Sequence, residues 1–416
     1  MDLTPTAEQQ RLRAECRSWL EANLPWEYGT GLPPRHASLD DEVAFGRHWQ
    51  RRLADGRWVG VTWPEAYGGR GAGALAHYVV QEELARARAP ELVGRIGVNM
   101  VGPTLLAHGT EDQRRRWLPG ILRADILFCQ LFSEPGAGSD LASLATRARR
   151  SDDMSSAPPA RAAVEAGHVS RAGAGWVLDG QKVWTSYAQF ADWGLCLART
   201  NPDVRKQAGI TAFAVDMTAP GVEVRPLRQI TGESDFNEVF LSGVFVPDDC
   251  VIGEVDAGWR VSASTLAHER GTNPRQLVIH SQHLDEMLRL AADRGAFDDA
   301  HTAQRLAQAF VEVKLFQLHN WRSLSRLEAG QPIGPEGSAL KLYWSEMSQR
   351  LHRLALDVLG PAAPLGTGAT DNPGDGEWQR SWLYYQAASI FAGTNEIQRT
   401  IIGERVLGLP REGSPA

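Results

Sequence analysis

The sequence predicts a multidomain α+β protein: a helical N-terminal domain, a small β domain in the middle and a C-terminal helical bundle. Three observations carry this. Apolar residues recur at three- and four-residue spacing in both outer thirds, as on one face of a helix. Between Phe128 and Asp249 the texture changes to short β-rich runs separated by turn residues. A chain of 416 residues exceeds what one compact core holds. The boundaries fall at 1–126, 127–253 and 254–416.

In the first domain, Thr6 and Gln9 have capping-box spacing, and Leu12, Cys16, Trp19, Leu20 and Leu24 then share one helical face. The stretch GVTWPEAYGGRGAG interrupts as a long turn, AHYVVQEELARARA resumes helix, and GTEDQRRRWLPGILRA closes the domain. In the middle domain, WVLDGQKVW reads as two strands joined by a tight hairpin at Asp179-Gly180, a pair suited to the positive φ such turns need. GITAFAVDM, GVEVRPL and EVFLSGVFVP follow as strands, and Ser151–Gly175, rich in Ala, Ser, Pro and Gly, reads as an exposed inserted loop. In the last domain, Leu277, Leu284 and Leu288, then Leu306, Phe310 and Val313, then Leu340, Tyr343, Met347, Leu351, Leu354 and Val358 mark apolar faces of successive helices.

A net charge of −7 argues against nucleic acid, whose phosphates need a basic surface. No run approaches the ~18 apolar residues of a membrane span. The opening MDLTPTAEQQRL lacks a basic-apolar-small order, so the expectation is a cytoplasmic protein. Cys16, Cys129, Cys196 and Cys250 form no CxxC pair, which disfavours disulfides or a zinc site. Most of the 14 Trp residues are expected in the core.

SEPGAGSD, at Ser133–Asp140, supplies hydroxyls and glycines, so its backbone N–H groups can approach a flavin edge or a phosphate. It is not the GxGxxG dinucleotide pattern, and no P-loop occurs. KVWTSYAQFADW places Trp184 and two hydroxyls at a strand end, where Trp could cover a flat conjugated ring; an interior Trp is the other reading.

Taken in order, LFSEPGAGSD, GQKVWTS, FNEVFLSGVFVPDD, GW…LAHERG and AGTNEIQR…ERVLGLP resemble the acyl-CoA dehydrogenase family over nearly the whole chain. The resemblance implies a β-barrel-like middle domain, a C-terminal four-helix bundle, and FAD held between the two, usually with help from a second subunit. It implies flavin contacts at Gln130, Phe132, Ser133, Gly138, Ser139, Trp184, Thr185, Ser186, Thr394 and Glu396, with Ser139 and Arg270 also meeting the acyl-CoA. It further implies electron-transfer flavoprotein as acceptor and a homodimer or homotetramer, a heteromer being conceivable; no metal is expected.

The reaction class removes a proton α to a thioester, which needs a positioned carboxylate in a dry pocket. Most of the family carries that Glu just before GT near the C-terminus, where this chain has Ala392. In some branches, such as isovaleryl-CoA and long-chain dehydrogenases, the base stands on an earlier bundle helix directly before an Arg. The matching residues are Glu269 and Arg270, which makes Glu269 the expected catalytic base. Its neighbour His268 points about 100° away on a helix. The Arg-x-x-Phe-Gly stretch that reaches a neighbouring subunit's FAD in much of the family is absent. Lys341, in GPEGSALKLYWSE, could meet phosphate or be solvated. Rival expectations are a carrier-protein-thioester dehydrogenase, an acyl-CoA oxidase, and a non-catalytic subunit of a heteromer. The acyl group is open.

Overall fold

The computed structural model describes residues 6–25, 27–28, 36–151, 174–269, 274–331 and 333–411, with the side chains of 267–269 left out. Within them the predicted order holds: helices, an eight-stranded sheet, then helices. The chain packs as two compact units, one of Met1–Arg35, Ala72–Pro90 and Arg270–Ala416, the other of His36–Gly71 and Glu91–Glu269.

Among the described residues the regular elements of the first unit are all helices. Helix α1 (Ala7–Asn23) starts at the Thr6–Gln9 capping box and buries Cys16 and Leu20. In the second unit lies α2 (Leu39–Asp55). Back in the first unit, α3 (Ala74–Arg86) packs on α1, where the buried Glu83 accepts from Arg13 and Arg17. The second unit continues with α4 (Gly102–His108) and α5 (Glu111–Arg123); α5 opens on a capping box from Thr110 to Gln113. Gln50 of α2 donates to the Ile121 and Leu122 carbonyls of α5 and accepts from Gly94 N, which joins these segments.

The sheet holds β1 (Phe128–Leu131), β2 (Arg147–Ser151), β3 (Gly175–Ser186), β4 (Trp193–Arg199), β5 (Ile210–Asp216), β6 (Val222–Leu227), β7 (Phe236–Pro247) and β8 (Val251–Ile252). Its order is β6-β7-β3-β2-β4-β5-β8, with β1 alongside β4. The predicted insertion lies between the antiparallel neighbours β2 and β3, and its residues 152–173 are outside the described set.

The hairpin expected at Asp179-Gly180 does not form: β3 runs straight through as one 12-residue strand with a register shift there. Gly180 is needed for space rather than for a turn, because a Cβ would sit 2.3 Å from Thr146 Oγ1. Asp179 is occupied by Gly243 N and Arg149.

Helix α6 (Gly258–Glu269) closes the second unit. The bundle of the first unit comprises α7 (Pro274–Asp293), α8 (Ala300–Glu328), α9 (Gly337–Leu359), α10 (Glu377–Gln386) and α11 (Asn395–Ile401). Its core takes Leu277, Leu284, Leu306, Val313, Met347, Leu351, Leu354 and Val358, as the spacing predicts. Phe310 is the exception: the core face of α8 runs Leu306, Ala309, Val313, Phe316, so Phe310 turns outward under the Lys314 ammonium.

The bundle core also holds a polar knot. His280 Nδ1 donates to Gln276 O at 2.7 Å, and His352 Nδ1 to Ser348 O at 2.8 Å. A carbonyl only accepts, so each ring's Nε2 carries no proton when the ring is neutral: His280 Nε2 lies 2.7 Å from Ser348 Oγ, whose hydroxyl donates to the Trp344 carbonyl at 2.7 Å, and His352 Nε2 accepts from His283 Nδ1 at 3.0 Å. Burial drives His280 down to about 4 and His283 to about 3, and lowers His352 as well. Among the described residues no helix is long and apolar enough to cross a membrane, no His/Cys/Asp/Glu group could hold a metal, and all four cysteines are buried and free.

Candidate functional site

Strand β1 runs parallel to β4, with Gln130 opposite Leu195, and past Leu131 the chain leaves the sheet. Glu134 and Ala137 bond each other's main chain at 3.0–3.1 Å, folding Pro135 and Gly136 into a tight loop. A Cβ on Gly136 or Gly138 would meet nothing within 4 Å, so the backbone there is open to a ligand. Val183 N donates to Ser133 O at 2.9 Å, which lays this loop beside β3.

At that point β3 bulges. Its register against β7 slips between Lys182 and Thr185, and Trp184 takes φ 60°. Positive φ at a bulky residue is rare and costs on the order of 1–3 kcal/mol, so the surroundings must enforce it. Asn237, fully buried on β7, does part of this by donating to Thr185 O at 3.0 Å. The bulge turns Trp184 outward, 62% exposed and edge-on to Phe236. Against the expectation for tryptophan at large, this one is not core.

The sheet therefore brings Gln130–Ser139 and Trp184–Ser186 together. Gln130, Ser133 and Ser186 are half-buried, Gly138, Ser139 and Trp184 exposed, and the Phe132 and Thr185 side chains buried. Thr185 Oγ1 and the neighbouring Asn237 Oδ1 are buried without a hydrogen-bond partner. Orphaned polar atoms, an open glycine loop and a presented indole fit a flat, hydrogen-bonding cofactor with a phosphate tail.

A cavity of about 300 Å³ is lined by Ala145, Arg147, Arg199, Pro202, Val204 and Lys206. Arg147 and Arg199 are register partners across β2 and β4. Lys206 pairs with Asp140 at 2.6 Å, and that bond, with Ser143, holds the carboxyl below its usual range. Burial lowers Arg199 without removing its charge. Three cations against one carboxylate suit an anion.

In the helical unit, Ala392 takes φ 55° and Gly393 φ 84°, and Gln398 donates to both carbonyls at 3.1 and 3.2 Å. Thr394 caps α11, accepting from Ile397 N. Glu396 is exposed in the first helical turn, and the hydrogen bonds from its own N–H and from Thr394 hold its carboxyl below the usual range, which makes it a poor base. Phe391 packs against Trp344 and Tyr384, an aromatic patch next to Ala392. Lys341 is buried, not solvated, and donates to Asn395 Oδ1 at 3.1 Å. Glu269 is the last residue of α6; its side chain, and Arg270 entirely, lie outside the described residues.

Three family models match in sequence: acyl-CoA dehydrogenase N-terminal domain at 6–125, middle domain at 129–244 and C-terminal domain at 256–407. The chain thus belongs to the acyl-CoA dehydrogenase family of flavoprotein oxidoreductases. It is 38% identical over 409 residues to acyl-CoA dehydrogenase IpdE1 of Mycobacterium tuberculosis, covering 97% of this chain and 98% of that one. It is 40% identical over 385 residues to acyl-CoA dehydrogenase FadE34 of the same organism, covering 92% of this chain and 49% of FadE34. Among solved structures it resembles the Tcur3481-Tcur3483 steroid ACAD (30% identity, TM-score 0.81, 99% of this chain and 100% of that one). It also resembles the ChsE4-ChsE5 complex from Mycobacterium tuberculosis (32% identity, TM-score 0.80, 99% and 100%).

Sequence reasoning missed three features: Asn237 behind the bulge, the basic cavity, and the charges of Glu134 and Lys182. Glu134, Lys182 and Asn237 all stand inside the quoted motifs, but nothing in their neighbouring residues marks them as buried.

Proposed function

We propose that this chain holds FAD through Gln130, Phe132, Ser133, Gly138, Ser139, Trp184, Thr185 and Ser186, joined by Thr394 and Glu396, and oxidises the α,β bond of an acyl-CoA thioester. Bound FAD supplies the hydride acceptor. Glu269 takes the α proton, and Ser139 and Arg270 meet the thioester substrate. The observation that carries the base assignment is the state of its rivals: position 392 is an Ala on a clamped loop, and the Glu396 carboxyl is held weakly basic.

The basic cavity of Arg147, Arg199 and Lys206 supports a CoA thioester, whose nucleotide end is anionic. A ring-bearing acyl group is supported by the likeness to a protein titled a steroid ACAD and by the aromatic patch of Trp344, Tyr384 and Phe391. Two of the similar structures carry titles that pair two differently named chains, one of them as a complex, which supports assembly with a related second subunit over a homo-oligomer. Electron-transfer flavoprotein is the proposed acceptor and the cytoplasm the proposed location.

The test is anaerobic mixing of the purified protein, with any subunit that copurifies, with straight, branched and ring-bearing acyl-CoAs while flavin bleaching is followed. Glu269→Gln is expected to retain FAD and slow bleaching by about 10²–10⁴. A variant that bleaches at the wild-type rate refutes Glu269 as the base.

A further inference from the structure

Glu134 lies in the first of the two segments assigned to the flavin and Lys182 two residues before the second, yet both are turned inward. Lys182 has no exposed surface; its Nζ lies 2.8 Å from Glu134 Oε1, 2.8 Å from the Leu197 carbonyl and 3.2 Å from the Phe132 carbonyl. Three N–H bonds meet three acceptors. On its other side the Glu134 carboxylate, 7% exposed as a residue, accepts from Ala145 N at 2.6 Å and Thr146 N at 3.0 Å. Burial pushes this carboxyl up, but the Lys182 charge and the hydrogen bonds outweigh it and leave it below its usual range, so the carboxylate form is favoured.

A buried ion pair is a poor device for stability alone: desolvation offsets much of the attraction, and apolar residues of similar volume often hold a fold as well. What apolar residues cannot do is fix the direction of main-chain groups. Every remaining bond of this pair goes to main chain: Phe132 at the start of the glycine loop, Leu197 in the sheet, and Ala145 and Thr146 at the entry to β2. Lys182 itself immediately precedes the bulge that presents Trp184. Ala145 also lines the basic cavity.

We propose that Lys182 and Glu134 are a positioning pair: they fix the spacing between the Ser133–Ser139 loop and the Trp184–Ser186 bulge, and so set how tightly and in what environment the flavin is held. This rests on the FAD reading above. Neither side chain touches the cofactor; both act through the main chain they hold.

The experiment uses the full chain, with any subunit that copurifies. FAD is titrated into apoprotein of wild type, the double variant Lys182→Met/Glu134→Leu, and Glu134→Asp, which keeps the charge and shortens its reach. Three quantities are read: the FAD dissociation constant, the fine structure of the bound flavin's visible spectrum, and the apoprotein's unfolding midpoint. The double variant is expected to keep its midpoint while FAD binds about tenfold or more weaker with an altered spectrum, the size of effect that residues supporting a ligand shell carry. Should the double variant not fold, Glu134→Asp decides on the same two flavin readouts. Wild-type affinity and spectrum in whichever variant folds overturn the inference while leaving the FAD reading intact. If wild-type protein itself binds no FAD, the FAD reading falls first and takes this inference with it.

Discussion

Acidification attacks the bundle at its histidine knot. His280 is buried and faces Ser348, Gln276 and two other neutral rings, His283 and His352; no carboxylate among the described residues hydrogen-bonds any of the three. Its folded value of about 4 lies below the ordinary 6.5, so the neutral form is the one that folding favours. Its contribution is complete above pH 6.5 and is lost as pH falls toward 4. By linkage, this group alone lowers stability by about 2 kcal/mol at pH 5 relative to pH 7.5. Spread over the unfolding entropy of a chain this long, that is roughly 2 °C in the unfolding midpoint. His280→Gln removes the proton uptake while keeping a polar side chain. Thermal unfolding at pH 7.5 and 5.0 should show the wild-type midpoint dropping further than the variant's by that margin. Equal drops in the two proteins would refute the argument, and place the acid sensitivity in other groups.

Two further outcomes follow from the β domain. Arg147→Glu reverses one of the three cations of the cavity, and should raise the KM for an acyl-CoA about tenfold. With the thioester of 3′-dephospho-CoA the same substitution should change KM little, as steady-state assays on both substrates will reveal. Gly180→Val forces a side chain onto Thr146 and should cost about 1–3 kcal/mol, read as a lowered denaturation midpoint.

The helical thirds were legible because burial on a helix repeats within the reach of a few residues. Thr6–Gln9 and the faces of α7 and α9 needed no distant partner to be recognised. Phe310 went astray because two apolar phases overlap on α8, and only the packed neighbours choose between them. Asp179-Gly180 misled for a related reason: the dipeptide suits a tight turn, but a close approach by Thr146 can demand the same glycine. Local sequence could not separate the two causes. For the site, the two motifs were visible, but not what joins them. Glu134 and Lys182 are 48 residues apart, and the orphaned oxygens of Thr185 and Asn237 exist only once β3 and β7 have paired. The His280–His283–His352 knot was equally silent, since one ring comes from a different helix.

The loop at Ala392 bears on how such an enzyme changes over time. Its left-handed turn is held by Gln398 through main-chain carbonyls, so nothing in its shape depends on which side chain stands at 392. An alanine there carries a strain of order 1 kcal/mol that glycine would relieve, and a glutamate would bear the same. A lineage can therefore lose an acid at this place, or regain one, by a single substitution and with the scaffold undisturbed. At this loop the frame and the side chain it presents are separable parts.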